Sequence, residues 1–130
     1  AITKMMQQDG IFEHGRIGHK QLAKEFAKSG VYAYPSHFEE ISCISAMKAQ
    51  ASGCIPVTTD YAALSETVKY GVKIPGKSGN LTVDESFKTE LIDMLNNSDK
   101  QDSLRKEMLA NKEQWGWKKV AEQWVNQLFA

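Results

Sequence analysis

Between Val31 and Gly71 the chain alternates short apolar runs, glycine stops and one helical run in an order that few architectures accommodate. Val31 to Tyr34 is β-branched and aromatic, and Pro35 ends it. Ser42 is the expected N-cap of a helix, and Gly53 is its expected C′ residue. Ile55 to Thr59 reads as the next strand, with Pro56 at its start, where a ladder N–H can be spared. An acidic turn at Asp60, a short helix and Gly71 come next. Strand, helix and strand joined by so short a crossover form a parallel pair with a right-handed connection. The fold class expected is therefore α/β, a Rossmann-like parallel sheet flanked by helices.

That layout carries a chemical consequence. In open parallel sheets, ligands bind beyond the carboxyl ends of the strands, where helices begin. The loop from Ser36 to Ile41 and the helix start near Ser42 lie at such an end. Free N–H groups there and the positive end of the helix dipole favour a phosphate. Ser42, Cys43 and Ile44 are the candidate backbone donors. Glu39 and Glu40 stand beside them, and a carboxylate repels phosphate. Its natural partners are the hydroxyls of a group attached to the phosphate, which points to a nucleotide-sugar or sugar-phosphate pocket.

The flanking sequence completes the sheet. Ile2, Met5 and Met6 read as the end of a helix, Asp9-Gly10 as a turn and Ile11 to His14 as a short strand. Gly15-Arg16-Ile17-Gly18 is a loop, expected at the same sheet edge, where Arg16 is a candidate nucleotide contact. His19 to Ser29 carries a helical face of Leu22, Ala23, Phe26 and Ala27, stopped by Gly30. Beyond Gly71, Val72 to Ile74 is a strand, and Pro75 to Asn80 a loop. Phe87 to Asn96 is a helix capped by Asp84, with Phe87, Leu91, Ile92, Met94 and Leu95 inward. Two more helices run from Asp99 to Asn111 and from Trp115 to Phe129. The tryptophans are assigned to core or interdomain packing.

Several functions are excluded or disfavoured. The formal net charge is zero, which gives no electrostatic case for nucleic acid. No apolar run is long enough to span a bilayer. His14, His19 and His37 lack metal-ligand spacing, and no nucleophile motif accompanies them. Gly76-Lys77-Ser78 lacks both the earlier glycine and the following apolar helix of a phosphate loop, and is rejected as one. The two cysteines, Cys43 and Cys54, are expected as reduced, buried side chains in a cytoplasmic protein.

With these motifs in place, the sequence resembles the carboxyl-terminal, donor-binding domain of retaining GT-B glycosyltransferases, of the group 1 glycosyl transferase type. That family's pattern is Pro-Ser, then Glu-Gly-Phe-Gly, a helix with Glu-Ala-Met-Ala-x-Gly, then x-Pro-Val-Val and an acidic turn before x-Glu-x-Val. Pro35-Ser36, Glu40, Ala49, Gly53, Pro56-Val57, Asp60, Glu66 and Val68 fall in matching places. The resemblance covers nearly the whole chain. Two departures stand out. Lys48 occupies the place of the family's second glutamate, which typically holds the donor ribose, and Ile41 and Cys43 replace glycines.

The resemblance implies a nucleoside-diphosphate sugar as donor substrate, an acceptor the sequence does not name, and no separate cofactor or metal. It implies Glu40 as the catalytic-site carboxylate facing the donor sugar, with Ser42, Cys43, Ile44, Lys48 and Arg16 as donor-binding residues. It also implies two further strand–helix units and an amino-terminal acceptor-binding domain. Residues 1–130 are therefore expected to be one truncated nucleotide-sugar-binding domain, inactive and prone to self-association in isolation. The whole enzyme would be cytoplasmic or peripheral to the inner face of a membrane. Two alternatives stay open: a non-catalytic nucleotide-sugar-binding or interaction module, and an epimerase or phosphorylase on the same fold.

Overall fold

The computed structural model describes residues 1–130. Its centre is a three-stranded parallel sheet of β1 (Val31–Tyr34), β2 (Ile55–Asp60) and β3 (Val72–Pro75), in the order β1-β2-β3. Val31 pairs with Ile55 and Tyr34 with Thr58, while Val57 pairs with Val72. The parallel pairing agrees with the crossover expected from the sequence. β2 is central, and Ile55 to Thr59 are all buried. Pro56 sits near the start of β2, where the preceding Ile55 N–H opens the ladder by donating to the Gly30 carbonyl at 3.0 Å.

Around the sheet lie α1 (Ile2–Met5), α2 (His19–Lys28), α3 (Ile44–Ala51), α4 (Leu64–Thr67), α5 (Leu81–Asn96), α6 (Ser98–Ala110) and α7 (Trp117–Leu128). Residue alternation along the strands divides the core in two. On one face Ile55, Val57 and Ile74 pack against Phe87 and Met94 of α5 and Met108 of α6. On the other, Cys43 at the start of α3, Ala46 of α3 and Leu64 and Val68 of the α4 segment pack with Tyr32 and Tyr34 of β1. Small residues at Ala46 and Ala49, both fully buried, let α3 lie close to the sheet.

A buried glutamine fastens α3 to the end of α4 and the turn leading into β3. Gln50 Nε2 donates to the carbonyls of Ala46 and Thr67, each at 3.0 Å. Its Oε1 accepts from the backbone N–H groups of Lys69 and Tyr70, at 2.8 and 3.2 Å. All four hydrogen-bonding positions of the amide are filled, as burial requires.

Several expectations are corrected. Ile11–His14 is not a strand and joins no sheet. Its two apolar residues, Ile11 and Phe12, are adjacent, so an extended conformation would point them to opposite sides and bury neither; both are exposed. Helix α3 begins at Ile44, with Cys43 rather than Ser42 at the N-cap position, and no side chain caps it. Gly53 does take the left-handed conformation expected of a C′ residue, with φ +81°. Helix α5 starts a turn and a half earlier than the sequence indicated. Asn80, not Asp84, caps it by accepting from the N–H groups of Thr82 and Val83. Asp84 instead accepts from the Ser78 hydroxyl and the Gly79 N–H.

On α5 the inward stripe is Phe87, Leu91 and Met94, and Ile92 and Leu95 are exposed. At about 100° per residue those two positions turn away from a stripe repeating every seven. The last helical run is broken into a 3-10 turn (Lys112–Trp115) and α7, with Gly116 between them. Trp117 and Trp124 are 87% and 64% exposed, so they are not core residues of this chain.

Candidate functional site

Three loops leave the carboxyl ends of the three strands, and a compact polar knot ties them together. Ser36, just past β1, is buried. Its N–H donates to Thr59 Oγ1 at 3.0 Å, and the same hydroxyl donates to the Ser36 carbonyl at 2.9 Å. That carbonyl also accepts from Ser78 N–H of the β3 loop at 3.1 Å. The Ser36 hydroxyl accepts from Phe38 N–H at 3.1 Å, bending the chain back toward the sheet.

Glu40 lies next in this turn. Its own N–H donates to the Phe38 carbonyl, and its carbonyl accepts from Ala63 N–H of the β2 loop at 3.1 Å. The backbone of Glu40 is thus fixed on both sides. Its side chain is held as well, because the Tyr34 hydroxyl donates a hydrogen bond to Glu40 Oε1. Tyr34 stacks on Tyr32 with ring centroids 5.6 Å apart and planes inclined by 30°, and Phe26 from α2 meets Tyr32 edge to face at 5.8 Å.

Glu40 opens onto a cleft of about 330 Å³ lined by Tyr32, Tyr34, Glu40 and Ser42 to Ser45. Here α3 begins. The amides of Ile44 and Ser45 have no acceptor within the chain, and no side chain caps the helix. The cleft therefore presents a half-buried carboxylate on one wall and unsatisfied helix N–H groups on another. These chemistries suit a ligand with hydroxyls at one end and a phosphate beside them.

Ionisation is set by the packing. Hydrogen bonding to Glu40 pushes the Tyr34 phenol up, since a phenolate beside a carboxylate would lose the bond and gain repulsion. Burial pushes the Tyr32 phenol up strongly. Cys43 is also raised, first by burial and then by its closeness to Glu40. All three groups remain neutral at ordinary pH.

The structure brings Glu40, Ser42, Cys43 and Ile44 together in one cleft, and it leaves Lys48 and Arg16 outside it. Lys48 lies one turn along α3 from Ile44. Its ammonium is 3.0 Å from His19 Nδ1, in a neighbouring groove shared with Ile44, Met47, Trp115 and Trp117. Arg16 is exposed and makes no hydrogen bond or ion pair within the chain. The strand expected to carry it to the sheet edge does not form. Glu39 turns away from the cleft and accepts from the Tyr61 hydroxyl at 2.9 Å.

Sequence reasoning missed Tyr32 and Tyr34, which register there only as strand formers. The available signal was a tyrosine ending a strand six residues before a loop carboxylate. One ground for rejecting Gly76-Lys77-Ser78 as a phosphate loop, the lack of a following helix, is corrected, since α5 begins at Leu81. Asn80 takes the Thr82 and Val83 amides of that helix, and Asp84 takes the loop amide of Gly79. No three His, Cys, Asp or Glu side chains come together as a metal-ligand set. No helix is long and apolar enough to cross a membrane.

The model of the family "Glycosyl transferases group 1" matches residues 1–115, which contain the whole sheet and every residue of the cleft. The chain belongs to the group 1 glycosyl transferases. No curated protein and no solved structure matches it significantly. For a glycosyl transferase domain the substrates are a sugar donor and an acceptor. The α/β architecture, with its cleft at the carboxyl ends of parallel strands, is in keeping with that assignment.

Proposed function

We propose that the cleft binds a nucleoside-diphosphate sugar and holds it for transfer of the sugar to an acceptor. The observation that carries this reading is the juxtaposition of the Glu40 carboxylate with the free amides of Ile44 and Ser45. The donor's distal phosphate takes the amides at the start of α3, and the attached sugar takes Glu40 through its hydroxyls. As the bond to the sugar breaks, negative charge grows on the departing diphosphate. Helix-end N–H groups aimed at that charge stabilise the transition state more than the ground state. Lys48, one turn along the same helix face and beside His19, extends the site toward the nucleoside end, where an ammonium suits a ribose or phosphate oxygen. Retention of anomeric configuration is the outcome this reading expects. Two buried free thiols fit a reducing, cytoplasmic setting.

The test is binding measured by ligand-observed NMR and calorimetry with UDP-glucose, GDP-mannose and ADP-glucose, each beside its sugar-free diphosphate. One sugar nucleotide should bind more tightly than its own diphosphate. Glu40→Gln keeps the shape and removes the charge. It should weaken the sugar nucleotide about tenfold, roughly 1.4 kcal/mol, while leaving the diphosphate nearly unchanged. Glu39→Gln, on the far side of the loop, should change neither. If Glu39→Gln does the damage and Glu40→Gln is harmless, the site has been assigned to the wrong carboxylate.

A further inference from the structure

A carboxylate that must meet particular hydroxyls of a sugar has to be held in one orientation. A glutamate in a loop, with three rotatable bonds, is not held by its backbone alone. In this protein the hydrogen bond to the carboxylate comes from Tyr34, the last residue of β1. Tyr34 cannot swing freely. Its backbone is paired in the sheet opposite Thr58, and its ring is stacked on Tyr32, which Phe26 braces from α2. A chain of three aromatic rings thus runs from the surface helix to one oxygen of Glu40, the only one of the two that a tyrosine holds.

We propose that Tyr34 is the positioning residue for Glu40, its phenol fixing one carboxylate oxygen so that the other faces the hydroxyls of the bound sugar. The proposal rests on the nucleotide-sugar reading of the cleft and deepens it. Neutral phenol is the form that can donate, and Glu40 itself favours that form in Tyr34. The groups that face the phenol are Glu40, Ser36, Cys43 and the stacked Tyr32, and none of them is a cation that would draw its proton away. An unpaired glutamate would adopt several rotamers and lose that freedom on binding. Tyr34 removes this cost before the donor arrives.

Two measurements on the whole chain test the proposal. The first needs no ligand. With tyrosine labelled at the ring carbon bearing the hydroxyl, the Tyr34 resonance is followed by NMR to alkaline pH. It should ionise above the ordinary tyrosine range, and Glu40→Gln should bring it down. A resonance indifferent to Glu40→Gln means that Tyr34 does not hold the carboxylate, and the proposal fails. The second uses whichever of UDP-glucose, GDP-mannose and ADP-glucose binds best. Tyr34→Phe keeps the ring stack and removes only the donor. It should weaken the sugar nucleotide about fivefold, leave the sugar-free diphosphate unchanged, and cause no further loss when combined with Glu40→Gln.

Equal weakening of diphosphate and sugar nucleotide would show a merely structural tyrosine. Equal loss with and without Glu40→Gln would show one that acts independently, and either result overturns the proposal. If no sugar nucleotide binds the native chain, the nucleotide-sugar reading fails and the positioning role falls with it. The resonance would then still report whether the two side chains are joined.

Discussion

Replacing Gln50 by leucine isolates what holds the candidate site's helix in place. The substitution nearly preserves volume and helix propensity, so its effect comes from the amide's four hydrogen bonds. The side chain is fully buried, and its partners are the Ala46 and Thr67 carbonyls and the Lys69 and Tyr70 N–H groups. The Ala46 carbonyl is already an acceptor in the helix ladder and loses little. The Thr67 carbonyl and the two N–H groups lose a partner that leucine cannot replace. Each orphaned buried group costs about 1–3 kcal/mol, and the two amides are only part-buried, so water recovers some of their loss. The expected destabilisation is therefore about 2–5 kcal/mol, a large share of the roughly 5–15 kcal/mol typical of a domain. Urea unfolding followed by tryptophan fluorescence and by circular dichroism gives the value as a shift in midpoint at constant slope. Hydrogen exchange should show earliest loss of protection at Lys69 and Tyr70. A destabilisation below about 0.5 kcal/mol would refute the reasoning, since it would mean these groups are satisfied without Gln50.

Two further predictions concern the same scaffold. Gly71 has φ +84°, and a Cβ there would lie 2.0 Å from the Pro56 carbonyl oxygen of the central strand. Gly71→Ala should destabilise the chain by at least about 2 kcal/mol in the same urea assay, because backbone cannot give way as a side-chain tip could. Burial raises Cys54 from 9.0 to about 11. A thiol raised in the folded state favours folding fully below its unfolded value, and that contribution is lost as pH rises through the folded value. Stability should thus decline between pH 9.0 and about 11, and the decline should be shallower in Cys54→Ala. An unchanged slope in that variant would remove Cys54 as a cause.

What the sequence determined on its own is the crossover and its polarity. Val31–Tyr34, the helical run stopped at Gly53 and the Ile55 strand set a helix-length crossover, and no short hairpin, between two strands, which makes them a parallel pair. The carboxyl edge, with Glu40 and the start of α3, is a consequence of that geometry. Local rules are sufficient there because strand, cap and stop signals each act over a few residues. The tertiary structure decided the rest, wherever the outcome depends on partners remote in sequence. Ile11–His14 has local strand propensity but no neighbour to complete its ladder. Ile92 and Leu95 are apolar but point off the stripe that meets the sheet. Lys48 was separated from the cleft by a full turn of helix and drawn to His19, twenty-nine residues earlier. The Ser36–Thr59 knot and the Phe26–Tyr32–Tyr34 stack are side-chain contacts between segments that only folding brings together. So is the hold on Glu40. The sequence shows a carboxylate and a tyrosine six residues apart, but the turn through Ser36 and Phe38 is what sets one against the other.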